Sequence, residues 1–599
     1  MSVLLQTGKL YLLRKPFSKS CSKYIFHRKK SDVPRKFISF DEIVAQRRAE
    51  ARQSLVVQVN SESSFNELHG YCSKYATIND IHHYKNSAGE HFMLIEFSSE
   101  ENLNNVLQSC SSHKKEIDVM GVQSPFLWFR ATSVKEKYAQ NVTHLAVKDG
   151  SLSVNEDVLF EELMNCSSVS EQIQMLYDRT VLNDIGVRLR YMVARQLETV
   201  FSSLYANIKV QPFGSSVNGF GKMGCDLDLV LTNTLTDDLT SQKNRLVYQE
   251  KKSEGGRSPW QRHMELVGAL LELRVPGATR VQKILNARVP IVKYSHDLAD
   301  VDCDLCCNNT SGVYMSELLW QLGALDARVR PLAGAVRRWA RAAALTNAHP
   351  GRWLTNFPLT LLVLFFLQQP ASGPVLPPLR RLVELAGKED TRVAEENLNC
   401  TFLRDLNKLP TESYSQNTDD LQTLLFKFFE FYSQFEFQDK AISINEGRPV
   451  RKPNSLPLYV VNPLEPALNV SRNVSYEECE RLRLEVRNAA WHLESCLDGH
   501  KSDDWGILGL IEQKASRGLK KLLRVGNSHR LVSMKDLFND NDELEPSAQG
   551  IRSKLEKFKK TEKLTEASDV TRGDKKSEMK FKNSQSAREV YRIRRNKLI

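Results

Sequence analysis

The chain has 599 residues, 41% hydrophobic and 26% charged, with 21 Pro and 28 Gly. These values exclude collagen, a continuous coiled coil and wholesale disorder, and the length fits roughly three or four domains. The net charge is +11, but residues 1–36 carry +9 and residues 551–599 another +9, leaving −7 for 37–550; any polyanion site in the body is therefore local.

The chain opens MSVLLQTGKLYLLRKPFSKSCSKYIFHRKK, basic, rich in Ser and Leu, and without an acid before Asp32. This pattern predicts a mitochondrial transit peptide over 1–40 and a matrix location. Lys9, Arg14 and Lys15 interrupt the apolar core that a secretory signal needs, and the rival readings are a basic arm or a nuclear signal at Arg28 to Lys30. Eleven Cys, with one C-x-x-C (Cys303, Cys306) and no second pair at zinc spacing, read as reduced thiols. The longest apolar run, Leu359 to Leu367, falls well short of the ~20 residues of a membrane span and predicts a buried helix.

Residues 41–135 are read as one domain. Strands are expected at Ser54 to Val59, Ile81 to Tyr84, His91 to Ser98 and Phe126 to Phe129, with helices at 65–75 and 100–110. The order βαββαβ resembles an RNA-recognition-motif fold. Such folds stack bases on strand aromatics, which SLVVQV lacks, and Phe92 and Phe97 sit an odd interval apart and so face opposite sides. Self-association into a homodimer is therefore favoured over RNA binding for this domain.

A long helix is expected over 170–205, then a strand from Val210, a Gly/Ser loop and a second strand. Residues 234–262 read as a polar surface excursion, Ala287 to Tyr294 and Val301 to Cys307 as strands. From 311 to 500 the pattern is helical: Met315 to Val329, Pro331 to Leu345, the run after Thr355, Leu421 to Phe437 and Tyr476 to Cys496. Residues 501–599 form a basic, partly disordered tail.

Asp226 and Asp228 lie two apart on an expected strand, so both carboxylates project from one face while Leu227, Leu229 and Leu231 take the other. Like charges at that spacing call for a divalent cation such as Mg²⁺. Gly214, Ser215 and Ser216 stand where the preceding strand turns, offering N–H groups and hydroxyls to phosphate; a loop, helix and strand are expected between Gly214 and Asp226. Asp302 and Asp304 supply a further acid. Gly219 to Gly224 spells G-x-G-x-x-G, but it leads into a strand rather than a helix, which argues against a dinucleotide fingerprint.

The strings G-S-S-x-N-x-x-G-x-x-x-x-D-L-D, V-D-x-D-L-x-x-N-N, G-A-L-D-x-R-V-R-x-L-x-x-x-V-R-x-W-A-R and N-P-L-E-P-A-L-N-V-S-R-N-V together resemble the poly(A) polymerase and terminal uridylyltransferase family of the polymerase-beta-like nucleotidyltransferase superfamily. The resemblance covers about 170–500 and implies an α+β protein: a mixed-sheet catalytic palm over 136–310, then a helical domain over 311–500 with a nucleotide-recognition segment at 462–474. It implies Asp226, Asp228 and Asp304 as catalytic metal ligands for two Mg²⁺ or Mn²⁺ ions, with Asp302 second to Asp304. Gly214 and Ser215 would hold phosphate, Arg337 and Arg341 the triphosphate, and Asn356, Phe357 and Leu468 the nucleoside. The reaction implied is in-line attack of an RNA 3′-hydroxyl on the α-phosphate of ATP, releasing pyrophosphate. Uridylyl-specific relatives carry a His where Leu468 stands, so adenylyl transfer is expected. The rivals are uridylyl transfer, or an inactive scaffold that binds RNA or protein.

Overall fold

The computed structural model describes residues 37–111, 121–130, 147–205, 208–233, 258–347, 349, 351–410, 416–496 and 504–511. Nearly all of the transit-like segment, residues 234–257 of the expected excursion and the tail from 512 lie outside them.

The N-terminal part runs α1 (Phe40–Arg52), β1 (Ser54–Val59), α2 (Phe65–Cys72), β2 (Ile78–Lys85), β3 (His91–Phe97), α3 (Glu100–Gln108), β4 (Phe126–Trp128) and β5 (Lys148–Asp149), in sheet order β4-β1-β3-β2-β5. Alternation decides what each face meets. Val57, Met93, Ile95 and Phe97 pack with Leu68 of α2 and Leu103 of α3, whereas Val56, Tyr84, Phe92 and Leu94 point the other way, into one core with Tyr191, Met192 and Leu197. Tyr84 stacks on Phe92 with centroids 5.2 Å apart. Both faces of the sheet are thus covered, which among the described residues leaves its edges rather than a face for the expected self-association.

Between the sheets stand α4 (Glu156–Met164), α5 (Val169–Thr180) and α6 (Asp184–Phe201). The expected continuous helix over 170–205 is two helices. Val181 is extended, the Leu182 N–H donates to the Gly221 carbonyl at 3.0 Å, and Asn183 caps α6 by accepting from the Gly186 N–H at 2.8 Å. Long-range backbone pairing wins over helical periodicity here.

The second sheet has β6 (Ile208–Phe213), β7 (Leu227–Asn233), β8 (Ala278–Ile284), β9 (Ile291–His296) and β10 (Val301–Cys307), in order β6-β7-β10-β9-β8. β7 and β10 are parallel, and the other neighbours antiparallel. Between β7 and β8 lies α7 (Pro259–Arg274), opened by a capping box of Ser258 and Gln261. The excursion expected to reach 262 therefore ends by 258, and the strand expected at 287–294 is shifted to begin at Ile291.

The remaining helices are α8 (Thr310–Leu325), α9 (Val329–Ala342), α10 (Asn356–Phe366), α11 (Leu379–Glu384), α12 (Leu421–Gln434), α13 (Tyr476–Ser495) and α14 (Leu508–Ile511), with a two-stranded ribbon of β11 (Lys440–Ala441) and β12 (Val450–Arg451). The apolar run at 359–367 is buried throughout, among Leu332, Val336, Phe428, Phe429 and Val486. No helix among the described residues is long and apolar enough to cross a membrane.

Candidate active site

β7 is a central strand whose Leu227, Leu229 and Leu231 are buried, which turns Asp228 to the other face. Asp226 stands immediately before the strand. Parallel pairing puts Asp304 of β10 directly beside Asp228, and antiparallel pairing puts Phe213 of β6 on its other side. The next residue, Gly214, has φ +69°, and a Cβ there would come within 2.1 Å of Asp228 Oδ2. Only glycine lets the chain turn this close to the carboxylate.

The acids disturb one another. Burial first, then Asp304 and Asp226, push the Asp228 carboxyl up to about 7, with Lys293 acting in the opposite sense. Asp226 is raised by burial, then by Asp304. Lys293, opposite Asp304 on β9, donates to Asp304 Oδ2 at 2.7 Å. Among the described residues no three acid, His or Cys groups close on a single point; Lys293 holds Asp304 as its counter-ion. The donor set, all carboxylate oxygen with the proton affinity of Asp226 and Asp228 raised, fits a divalent cation of the Mg²⁺ kind. Asp302 lies farther out, accepting from Ser295 Oγ and 3.8 Å from Arg280.

The turn after β6 is a single 3₁₀ turn, Gly214–Ser216, and the chain returns to β7 without the helix expected there. Its groups are unequally committed. The Gly214 N–H donates to Ser316 Oγ at 2.7 Å, and the buried Ser216 hydroxyl donates to the Asp226 carbonyl at 3.1 Å. Among the described residues the Ser215 hydroxyl has no hydrogen-bond partner. Beneath the turn, buried Arg190 of α6 donates from Nε to Ser216 Oγ at 3.0 Å and from Nη2 to the Cys225 carbonyl. The glycine-rich stretch proves to be packing. Gly219 and Gly224 have positive φ, and a Cβ on Gly221 would meet the Ser215 carbonyl at 2.3 Å.

Arg337 and Arg341, expected as a matched pair, diverge. Arg337 turns inward, donating from Nε to Thr360 Oγ1 at 3.0 Å and from Nη1 to the Phe220 carbonyl, with its guanidinium 5.7 Å from the Phe220 ring centroid. Burial lowers it to about 10, so it stays charged at neutral pH. Arg341 is exposed. Side chains at i and i+4 share a helix face, but Thr360 and the Phe220 carbonyl draw only the first inward.

Asn356 is exposed at the start of α10, and Phe357 is half-buried against the helical core. Leu468 is half-buried in a tight turn, its N–H bonded to the Glu465 carbonyl and its carbonyl to the Asn462 N–H, each at 2.9 Å. Three contacts tie this segment in place: Arg288 to Glu465 at 3.1 Å, and Asn473 Nδ2 to the Gly351 and Trp353 carbonyls at 3.0 and 2.9 Å. Sequence reading missed Arg190 and Lys293. Lys293 had a signal, as a lone cation alternating with Val292 and Tyr294; Arg190, inside an apolar helix face, had none.

A mixed sheet with acids on neighbouring strands, a glycine turn against them and helices following defines a nucleotidyltransferase. Residues 169–323 match the family described as "Poly(A) RNA polymerase, mitochondrial-like, central palm domain", and residues 420–462 match "Cid1 family poly A polymerase". The chain is 45% identical over 525 residues to the Drosophila melanogaster mitochondrial poly(A) RNA polymerase, covering 84% of each, and 35% identical over 506 residues to the Homo sapiens one, covering 83% of this chain and 85% of that protein. A crystal structure of mtPAP in complex with ATPγS superposes with TM-score 0.70 at 32% identity, over 79% of this chain and 99% of that one. The chain belongs to the mitochondrial poly(A) RNA polymerase family.

Proposed function

We infer that this protein is a polynucleotide adenylyltransferase that extends the 3′ ends of mitochondrial RNAs with ATP. The observation that carries the reading is the register of Asp304 beside Asp228 under the Gly214 turn. Asp226, Asp228 and Asp304 would hold Mg²⁺ or Mn²⁺, which when bound lowers the barrier by stabilising charge on the reacting oxygens. The protein's own groups do the rest. Ser215 keeps a free hydroxyl for a phosphate oxygen, Arg341 an exposed guanidinium, and Arg337 adds positive potential because the groups it touches are neutral. Asn356, Phe357 and Leu468 bound the nucleoside. Lys293, 2.7 Å from Asp304, would be the counter-ion that a bound cation displaces there.

Crystal structures of mtPAP in complex with UTP, CTP and GTP stand beside that with ATPγS. That range supports a nucleoside site walled by apolar groups such as Leu468, which discriminates by only ~1 to 3 kcal/mol per contact. The finer assignments belong to the same proposal: a transit peptide over 1–40, an RNA-recognition-motif-like domain over 41–135, a palm over 136–310, a helical domain from 311, a basic tail expected from 501 but corrected to begin after 511 because Trp505, Ile507, Leu508 and Leu510 pack into the helical core, a matrix location, and a homodimer formed through an edge of the N-terminal sheet. Primer extension by the purified protein tests the core reading. Mg²⁺-dependent addition of AMP to an RNA 3′ end is expected, lost in Asp228→Asn; extension by that variant at the wild-type rate would reject the site.

A further inference from the structure

On the acid-bearing face of the second sheet, next to Asp226, is a cavity of about 500 Å³, within the ~300–1,000 Å³ of small-molecule sites. One wall belongs to the N-terminal sheet: the β2–β3 turn, with Asn86, Ser87, Ala88 and Glu90. The catalytic-sheet side, including the β9–β10 turn, contributes Cys225, Asp226, Asp297, Asp300 and Asp302. The turn is fastened there by three hydrogen bonds: Tyr84 Oη to the Leu298 carbonyl at 2.7 Å, Asn86 Nδ2 to the Asp297 carbonyl at 3.2 Å, and Ser87 Oγ to Asp300 Oδ1 at 2.6 Å.

The lining is acidic, with Glu90, Asp226, Asp297, Asp300 and Asp302 against one cation, Arg280. A phosphate does not sit among five carboxylates, so the body of the cavity suits a neutral sugar and base. Arg280 is the exception, and the backbone is bent to present it. It sits at the register shift between β8 and β9 with φ +54°, and its side chain is 73% exposed. A β-bulge re-aims side chains near functional sites, and a non-glycine residue at positive φ is costly unless its surroundings require it.

We propose that this cavity receives the terminal nucleoside of the RNA acceptor, and that Arg280 at its rim holds the phosphodiester behind that nucleoside. The N-terminal sheet then takes part in RNA handling through its β2–β3 turn, not through its face. The inference rests on the adenylyltransferase reading. Arg280 is a binding residue for the acceptor and plays no part in ATP binding.

Steady-state extension of a short RNA separates the two claims. Wild-type protein that adds no AMP would reject the adenylyltransferase reading itself. Given an active wild type, Arg280→Ala is expected to raise the acceptor KM ~10-fold and to lower the salt slope of acceptor binding by about 1, because one phosphate contact is lost. The KM for ATP and the melting temperature should stay put, and Arg280→Lys should restore most of the affinity. Ala88→Trp, which fills the cavity from the N-terminal wall, is expected to raise the acceptor KM by a similar factor with ATPγS binding unchanged. Acceptor KM values within twofold of wild type for both Arg280→Ala and Ala88→Trp would overturn the proposal, as would an Arg280→Ala defect that appears equally in the KM for ATP.

Discussion

Gly214 and Asp228 form the tightest pair in the site. A methyl group at 214 would occupy the place of Asp228 Oδ2 and demand a left-handed backbone of a residue with a Cβ. Gly214→Ala is therefore expected to cut extension more than ~100-fold, beyond what loss of an outer-shell partner costs. The fold should survive, since the displaced group is a cleft carboxylate; wild-type extension by Gly214→Ala would show that the turn tolerates the methyl. The direction of Asp228 was legible in the sequence because period-two alternation with three leucines fixes it, whereas Asp226 precedes the strand and its direction is set by the turn before it. Arg337 was legible as a cation but not in its direction, which depends on Thr360 and the Phe220 carbonyl, both distant in sequence. For Leu468, proposed above to wall the nucleoside and without hydrogen-bonding capacity in its side chain, Leu468→His is expected to shift nucleotide use from ATP toward UTP, read as the ratio of the two kcat/KM values. An unchanged ratio would remove that residue from base recognition.

At the scale of elements, the sequence reading succeeded where one periodicity ran unbroken, as in β7, β10 and α10, and failed where a tertiary contact interrupts it. The break at 181–183 exists because the Leu182 N–H is taken by the Gly221 carbonyl of the loop under the site. Helix α7 was missed because its Ser258–Gln261 capping box follows a polar stretch that masks the onset. The helical domain also contains an ion pair with a pH consequence. Glu317 of α8 lies 2.9 Å from Arg404, yet burial raises its carboxyl to about 7 despite that neighbour. Arg404 is itself held by the carbonyls of Asp390, Cys400 and Phe402. In the unfolded chain the glutamate titrates near ~4.3. The folded state therefore holds the extra proton between the two values, and stability falls as pH rises through that window. Glu317→Gln is expected to raise the melting temperature relative to wild type at pH 8 and to lose that advantage by pH 4. A gain that is larger at pH 4 would reverse the sign and contradict the assignment.

For the whole molecule, the N-terminal sheet and the catalytic sheet share one hydrophobic core and an ionic seam in which Arg47 meets Asp184 and Arg188 meets Glu96, each at 2.7 Å. Removing residues 41–135 would expose Tyr191, Met192 and Leu197, so loss of the fold is expected rather than simple loss of a dimer. The edge is the place to test association. Trp128→Glu on β4 should convert a dimer to a monomer in sedimentation while leaving the melting temperature near wild type; an unchanged mass would discard that edge. The covered faces could not be foreseen, because a strand pattern says which side is apolar and not what lies against it. The charge of the tail was legible: residues 551–599 carry +9, and their removal should flatten the salt dependence of RNA binding without altering which nucleotide is added. The measurement that bears most directly on the central claim is single-nucleotide extension of a labelled RNA by the full-length protein with Mg²⁺, run separately with ATP, UTP, CTP and GTP. Long tails with ATP and shorter or slower products with the other three are predicted; preference for UTP, or no product with any nucleotide, would contradict the account.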